Sequence, residues 1–216
     1  MKKLTAFLFY FLFFAGNAAF MPNIVLYYQS LGFNGAQIGL LASLSPLLAM
    51  VGAPFWTGLA DATRRHRLIM SVALGVSIIG GVILPMLRTF LPMVLLAAVY
   101  SFFFSSINSL ADSGTMAMLE GRQELYGRLR LGGTIGWGLS APLVGLLVED
   151  HGLRVAFWCF SALMFLALLV SQNLRFKRAE TSRHSVLSGA RILLANRRYV
   201  LFLVMALTCG IGFASV

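Results

Sequence analysis

Asp112, Arg130 and Trp137 are the residues whose types and spacing could do chemistry, because a carboxylate, a guanidinium and an indole stand inside runs that are otherwise apolar. A carboxylate in hydrocarbon costs roughly 2.5–3.5 kcal/mol on insertion scales, so it is expected to face a bundle interior or water. Ser101, Ser105, Asn108, Asp112 and Thr115 recur every three or four residues, which collects them on one face of a helix. Arg130, Gly133 and Trp137 keep that spacing in the next apolar run, within the text YGRLRLGGTIGW. Beside them Gly132, Gly136 and Ser140 form a small-residue row, four apart, that lets another helix approach closely. Asp112 lies nine residues before Gly121 and Arg130 nine after it. If the chain turns there, both sit ~14 Å along antiparallel helices and at one depth. Arg128 is closer to the surface, where its side chain can snorkel. A carboxylate and a guanidinium at one level of a polar cavity, with an indole two turns deeper, could grip a polar solute by charge-assisted hydrogen bonds and stack on its ring. The same pair could instead only clamp two helices together, and spacing leaves both readings open.

The elements that must position these groups are membrane helices. The chain of 216 residues is 59% hydrophobic and only 11% charged, far below the charge content of a soluble domain. Apolar runs of the ~20 residues needed to cross a bilayer fall at about 4–28, 36–60, 68–88, 91–119, 125–148 and 152–173, with the start of a seventh at 199–216. They lack the alternation of barrel strands, so an all-α membrane protein is expected. The net charge of +10 does not point to nucleic acid, because of where the charge lies. Of the 17 Lys and Arg, all but Arg88 and Arg154 stand at the N-terminus or beside alternate connections. That bias places the N-terminus in the cytoplasm, with membrane lipids around the helices. The Lys2-Lys3 start and the small residues of AGNAAF also resemble a secretory signal, but hydrophobicity continues through Tyr28, and the first span is expected to be retained.

Short turns such as QSLGFNGA, RTFLP and EDHG make successive spans antiparallel neighbours, so residues 1–173 are expected to form one six-helix bundle. Residues 174–198 carry seven basic residues and one acid and read as a cytoplasmic linker, in which 186–194 could form an amphipathic surface helix. Residues 199–216 would then open a second, incomplete bundle. APFWTGLAD at 53–61 and APLVGLLVED at 141–150 are similar and stand 88 residues apart, three spans, which suggests a 3+3 repeat of inverted topology. Cys159 and Cys209 both fall in apolar spans and read as packing residues. His66, His151 and His184 fall in connections and share no helical face, so no metal site is expected, and no cofactor either. No nucleophile set or phosphate loop argues for an enzyme. Asn17 and Asn23 of the first span are further candidates for the cavity, with Asn108 of the fourth.

The connection TGLADATRRHR reads by composition as a basic anchor carrying one acid, in which His66 is a solvated loop residue. It also resembles the loop motif Gly-x-Leu-Ala-Asp-Arg-x-Gly-Arg-Arg of the major facilitator superfamily. Leu59, Ala60, Asp61 and Arg65 match, whereas Thr57 and Arg64 stand at the glycines, Ala62 follows the acid and His66 takes the last arginine. The resemblance implies a cytoplasmic gating latch built from Asp61, Arg64, Arg65 and Arg67. YGRLRLGGTIGWGL is similar to the fifth helix of the oligosaccharide/proton symporters, the lactose-permease-like branch, and to related nucleoside and aromatic-acid permeases. It implies that Arg130 binds the solute, that Trp137 stacks on it and that Asp112, where the family has a glutamate, partners Arg130. The family further implies a second half-bundle, absent from these residues, and transport of a small solute such as a sugar, nucleoside or aromatic acid by proton-coupled symport in a bacterial inner membrane. The alternatives are a non-transporting membrane scaffold, or a drug-efflux permease with an open apolar cavity and no ion pair.

Overall fold

Hydrophobic runs this long have one way to satisfy their backbone in lipid, and among the described residues the computed structural model is helical along each of the six apolar runs between residues 2 and 173. It describes residues 2–119, 121–174, 176 and 205. The helices are α1 (Lys2–Ser30), α2 (Gly35–Thr63), α3 (His66–Ile83), α4 (Phe90–Phe104), α5 (Ile107–Leu119), α6 (Tyr126–His151) and α7 (Arg154–Ser171). They build six segments long and apolar enough to cross a membrane, with α4 and α5 together forming the fourth, and no strand occurs among the described residues. The chain divides into two compact units, Met1–Arg178 and Ala179–Val216, and α1 to α7 belong to the first. The expected linker and seventh span lie outside the described residues, apart from Leu174, Phe176 and Met205.

Local chemistry sets the ends. Asn34 and Gln37 form a reciprocal capping box that starts α2. Gly121, at φ 96°, takes the left-handed turn between α5 and α6, a conformation a side chain would strain. Tyr27, 4% exposed, donates from its hydroxyl to the carbonyls of Pro85 (3.1 Å) and Leu87 (3.3 Å), tying α1 to the turn before α4.

The fourth span departs from the single straight helix expected for 91–119. It breaks at Ser105 and Ser106, whose hydroxyls donate to the carbonyls of Phe102 (2.8 Å) and Phe103 (3.0 Å). Such back-bonding competes with the helix ladder and bends it. Ser105 therefore serves the break, not the cavity. Gly52 of α2 presses on that point, where an added Cβ would lie 2.6 Å from Ser105 Oγ and 2.7 Å from the Phe102 carbonyl.

The most buried helix is α1, which contributes Ala6, Phe9, Tyr10, Phe13 and Ala19 to the core. It packs most extensively on α6 and next on α7. The corresponding neighbours of the fourth span are α2 and α3, so exchanging spans one to three with four to six maps the main contacts onto one another. Matched positions carry the contact. Gly52 of α2 meets the Phe102 carbonyl, and Ser140, 88 residues further on, donates from its hydroxyl to the Ala15 carbonyl at 2.9 Å. The six segments thus have the 3+3 inverted arrangement read from the two similar stretches.

Candidate functional site

Gly132, Gly136 and Ser140 seat α6 on α1 at Phe7, Phe11 and Ala15, which fixes the rotation of α6 about its own axis. Gly133 lies beside this row and packs on Phe14, so it belongs to the seam as well as to the face of Arg130. With α6 so turned, Arg130 reaches Asp112 of α5: Nη1 stands 3.3 Å from Oδ2 and 3.5 Å from Oδ1. Counting outward from Gly121 therefore put both groups at one level correctly.

Two tyrosines complete the cluster, and neither was singled out by the sequence reading. Tyr10 of α1, fully buried, donates its hydroxyl to Asp112 Oδ1 at 2.6 Å. Tyr126, one turn before Arg130, accepts a short hydrogen bond from Nη1, and its ring lies 5.8 Å from the guanidinium carbon. The signals were available: Tyr10 is the one hydroxyl in FLFYFLFF and must find a partner, and Tyr126 precedes Arg130 by four. The recorded bonds of Arg130 all leave from Nη1, so Nε–H and Nη2–H meet no protein acceptor among the described residues. The side chains of Arg130 and Asp112 are 45% and 34% exposed. An open cavity of about 450 Å³ adjoins Arg130, lined by Phe14, Arg130, Gly133, Thr134, Trp137 and Gly138, with Asp112 behind the guanidinium rather than in the lining. One wall is thus a half-used guanidinium and another an indole.

The remaining candidates are placed differently. Asn17, 5% exposed, folds its amide back onto the Phe13 carbonyl at 2.8 Å, and Asn23 does the same onto Ala19 at 2.9 Å. Asn108 is half-buried one turn before Asp112, and its Oδ1 is sequestered with no partner among the described residues. A second cavity of about 240 Å³, lined by Phe20, Tyr28, Leu41, Leu96, Tyr100 and Phe104 among others, offers hydroxyls but no charged group. Among the described residues no three His, Cys, Asp or Glu side chains converge as a metal would need.

At the opposite end of α2, Asp61 Oδ1 stands 2.8 Å from His66 Nε2. His66 is only 8% exposed and its ring stacks on Phe176, with centroids 5.3 Å apart. This corrects the reading of His66 as a solvated loop residue: α3 begins at His66, and the turn before it folds the ring under Phe176. Arg67 donates to the Leu174 carbonyl at 3.2 Å, while Arg64 and Arg65 remain exposed. Arg64 holds φ 57° as the C-cap of α2, where the related motif has glycine. A non-glycine residue in this conformation costs roughly 1 kcal/mol, so Arg64→Gly is expected to raise the thermal midpoint by an equivalent amount, measurable by scanning fluorimetry.

Residues 4–216 match the model of the MFS_1 like family. The chain belongs to that family. Among its relatives are the maltose permease of Geobacillus stearothermophilus, 32% identical over 202 residues, covering 91% of this chain and 50% of that one. The multidrug resistance protein MdtG of Yersinia enterocolitica is 30% identical over 195 residues, covering 85% and 46%. The chain thus spans about half the length of the curated relatives it matches. The crystal structure of the nucleoside transporter NupG, D323A mutant, superposes with a TM-score of 0.81 at 20% identity, over 94% of this chain and 53% of that one. That likeness establishes the major facilitator fold of the N-terminal half. The relatives are transporters rather than enzymes.

Proposed function

We propose that the protein is the N-terminal half of a secondary transporter that takes up a small polar solute by alternating access, coupled to protons. Asp112, Arg130 and Trp137 bind the solute, with Tyr10 and Tyr126 holding the charged pair in place. The observation that carries this reading is the half-exposed Arg130, which keeps N–H donors with no partner among the described residues beside a cavity whose other wall is Trp137. A guanidinium edge and an indole face suit a hydroxylated ring such as a sugar, nucleoside or aromatic acid, which accepts hydrogen bonds at its rim and stacks on its face. The names of the maltose permease and of NupG agree with that class. A second bundle closes the cavity from the other side.

The basic residues Arg64, Arg65 and Arg67 support a cytoplasmic N-terminus, and the bacterial relatives support an inner-membrane location. The Asp61–His66 pair and these arginines then form a cytoplasmic latch that opens and re-forms as the halves rock. The similarity to MdtG supports a second reading, drug extrusion. The test uses the protein as the cell makes it, reconstituted in proteoliposomes under an imposed proton gradient. Accumulation of maltose, a nucleoside or an aromatic acid is the expected result, and extrusion of a lipophilic cation with no uptake of these solutes supports efflux instead. Movement of neither rejects both.

A further inference from the structure

Arg88 and Arg154 are the two basic residues that break the charge bias along the chain. A surplus of positive charge at the Arg64–Arg67 end follows from membrane topology, but nothing in topology calls for arginine at the other end. The fold brings both to one place. Arg88 comes from the turn before α4 and Arg154 from the first residue of α7, and both line an open cavity of about 450 Å³ with His151, from the end of α6, and Ser30, from the end of α1. Its floor is Tyr27, whose hydroxyl bonds to Pro85 and Leu87 hold the turn carrying Arg88 in place. Both guanidinium groups lie within electrostatic reach of that hydroxyl.

Among the described residues, neither arginine has an acid within 4.0 Å. Glu149 and Asp150 precede His151, yet they are exposed and do not line the cavity. Two guanidinium groups gathered on one rim repel each other unless an anion neutralises them. The Ser30 hydroxyl is committed to the Tyr27 carbonyl at 2.7 Å, but Arg88, Arg154 and His151 bring donors from three separate segments, which suits a tetrahedral oxyanion with several acceptor atoms better than a planar carboxylate that one arginine fork satisfies.

We infer that this cavity is a binding site for phosphate, presented either as the free anion or as the headgroup of an anionic phospholipid. It is separate from the proposed solute site, which draws on Asp112 and Arg130, and in the orientation proposed above it faces outward. Its failure would leave the transport reading intact.

The experiment is scanning fluorimetry of the protein in a neutral detergent, titrated with inorganic phosphate and separately with short-chain phosphatidylglycerol, against sodium chloride at matched ionic strength. The expected result is a saturable rise in thermal midpoint that chloride does not produce. It should be lost in the Arg88→Gln, Arg154→Gln double variant and kept in the Arg64→Gln, Arg65→Gln control. A rise with both ligands identifies a site open to free phosphate, and a rise with the lipid alone identifies a headgroup site. If the double variant does not fold, each single variant is expected to weaken binding about tenfold, with the lysine replacements weakening it less. No rise with either ligand, a rise matched by chloride, or one that survives in the arginine variants overturns the proposal.

Discussion

Arg130→Ala is expected to weaken solute binding by about 10- to 100-fold while leaving the thermal midpoint nearly unchanged. Hydrogen bonds to a charged group contribute about 1.5–3 kcal/mol, and the guanidinium edge facing the cavity presents donors that alanine removes. The small effect on stability follows from exposure. With side chains 45% and 34% exposed, the Arg130–Asp112 pair resembles a surface ion pair, for which about 0–1 kcal/mol is typical. A pair that only clamped α5 to α6 would show the reverse, a lost midpoint and unchanged affinity. Arg130→Lys separates the two further, because lysine keeps the charge but not the planar fork, and binding is expected to stay impaired. The measurement is equilibrium binding of whichever solute the proteoliposomes accumulate, beside scanning fluorimetry of the same samples. Unchanged affinity in Arg130→Ala removes this cluster as the solute site.

The bundle was legible because the bilayer imposes a length. Six apolar runs became six segments, and their ends moved by only a few residues where the capping box at Asn34 and the left-handed Arg64 set the boundary. The break at Ser105–Ser106 was not legible, since hydropathy sees SFFFSS as continuous while the bend comes from hydroxyls bonding to carbonyls one turn back. Arg130 and Asp112 could be paired by counting from one turn, because depth in an antiparallel hairpin is arithmetic. Tyr10 could be seen to need a partner but not which one, because its approach to Asp112 depends on the rotation of α1, which is set by its contact with α6 and by no spacing within α1. The partner of Asp61 was missed for a related reason. The motif's spacing kept Arg65 in view, but the left-handed turn at Arg64 leaves Arg65 exposed and brings His66 to the carboxylate.

Gly136→Ala is expected to destabilise the protein by about 1–3 kcal/mol, and Gly136→Leu to prevent recovery of a monodisperse species. A Cβ at Gly136 would meet the backbone of Phe11, namely its carbonyl oxygen, carbonyl carbon and Cα, and backbone cannot swing aside as a side-chain tip can. The helices themselves would have to part along the most extensive interface in the bundle. Close approach at small residues is a main source of helix association in lipid, where burial of apolar surface gives little drive between helices. Gly145→Ala, on the same helix with nothing within 4 Å of the added methyl, is the control and is expected to be neutral or slightly stabilising. The measurement is the thermal midpoint in detergent together with size-exclusion profiles, and equal behaviour of the two alanine variants would contradict the packing argument. The damage should reach the cluster as well. Tyr10 adjoins Phe11, so a shift of α1 away from α6 draws its hydroxyl from Asp112 and loosens the pair that Arg130 shares. In Gly136→Ala, solute affinity is therefore expected to fall together with stability, whereas Arg130→Ala separates the two.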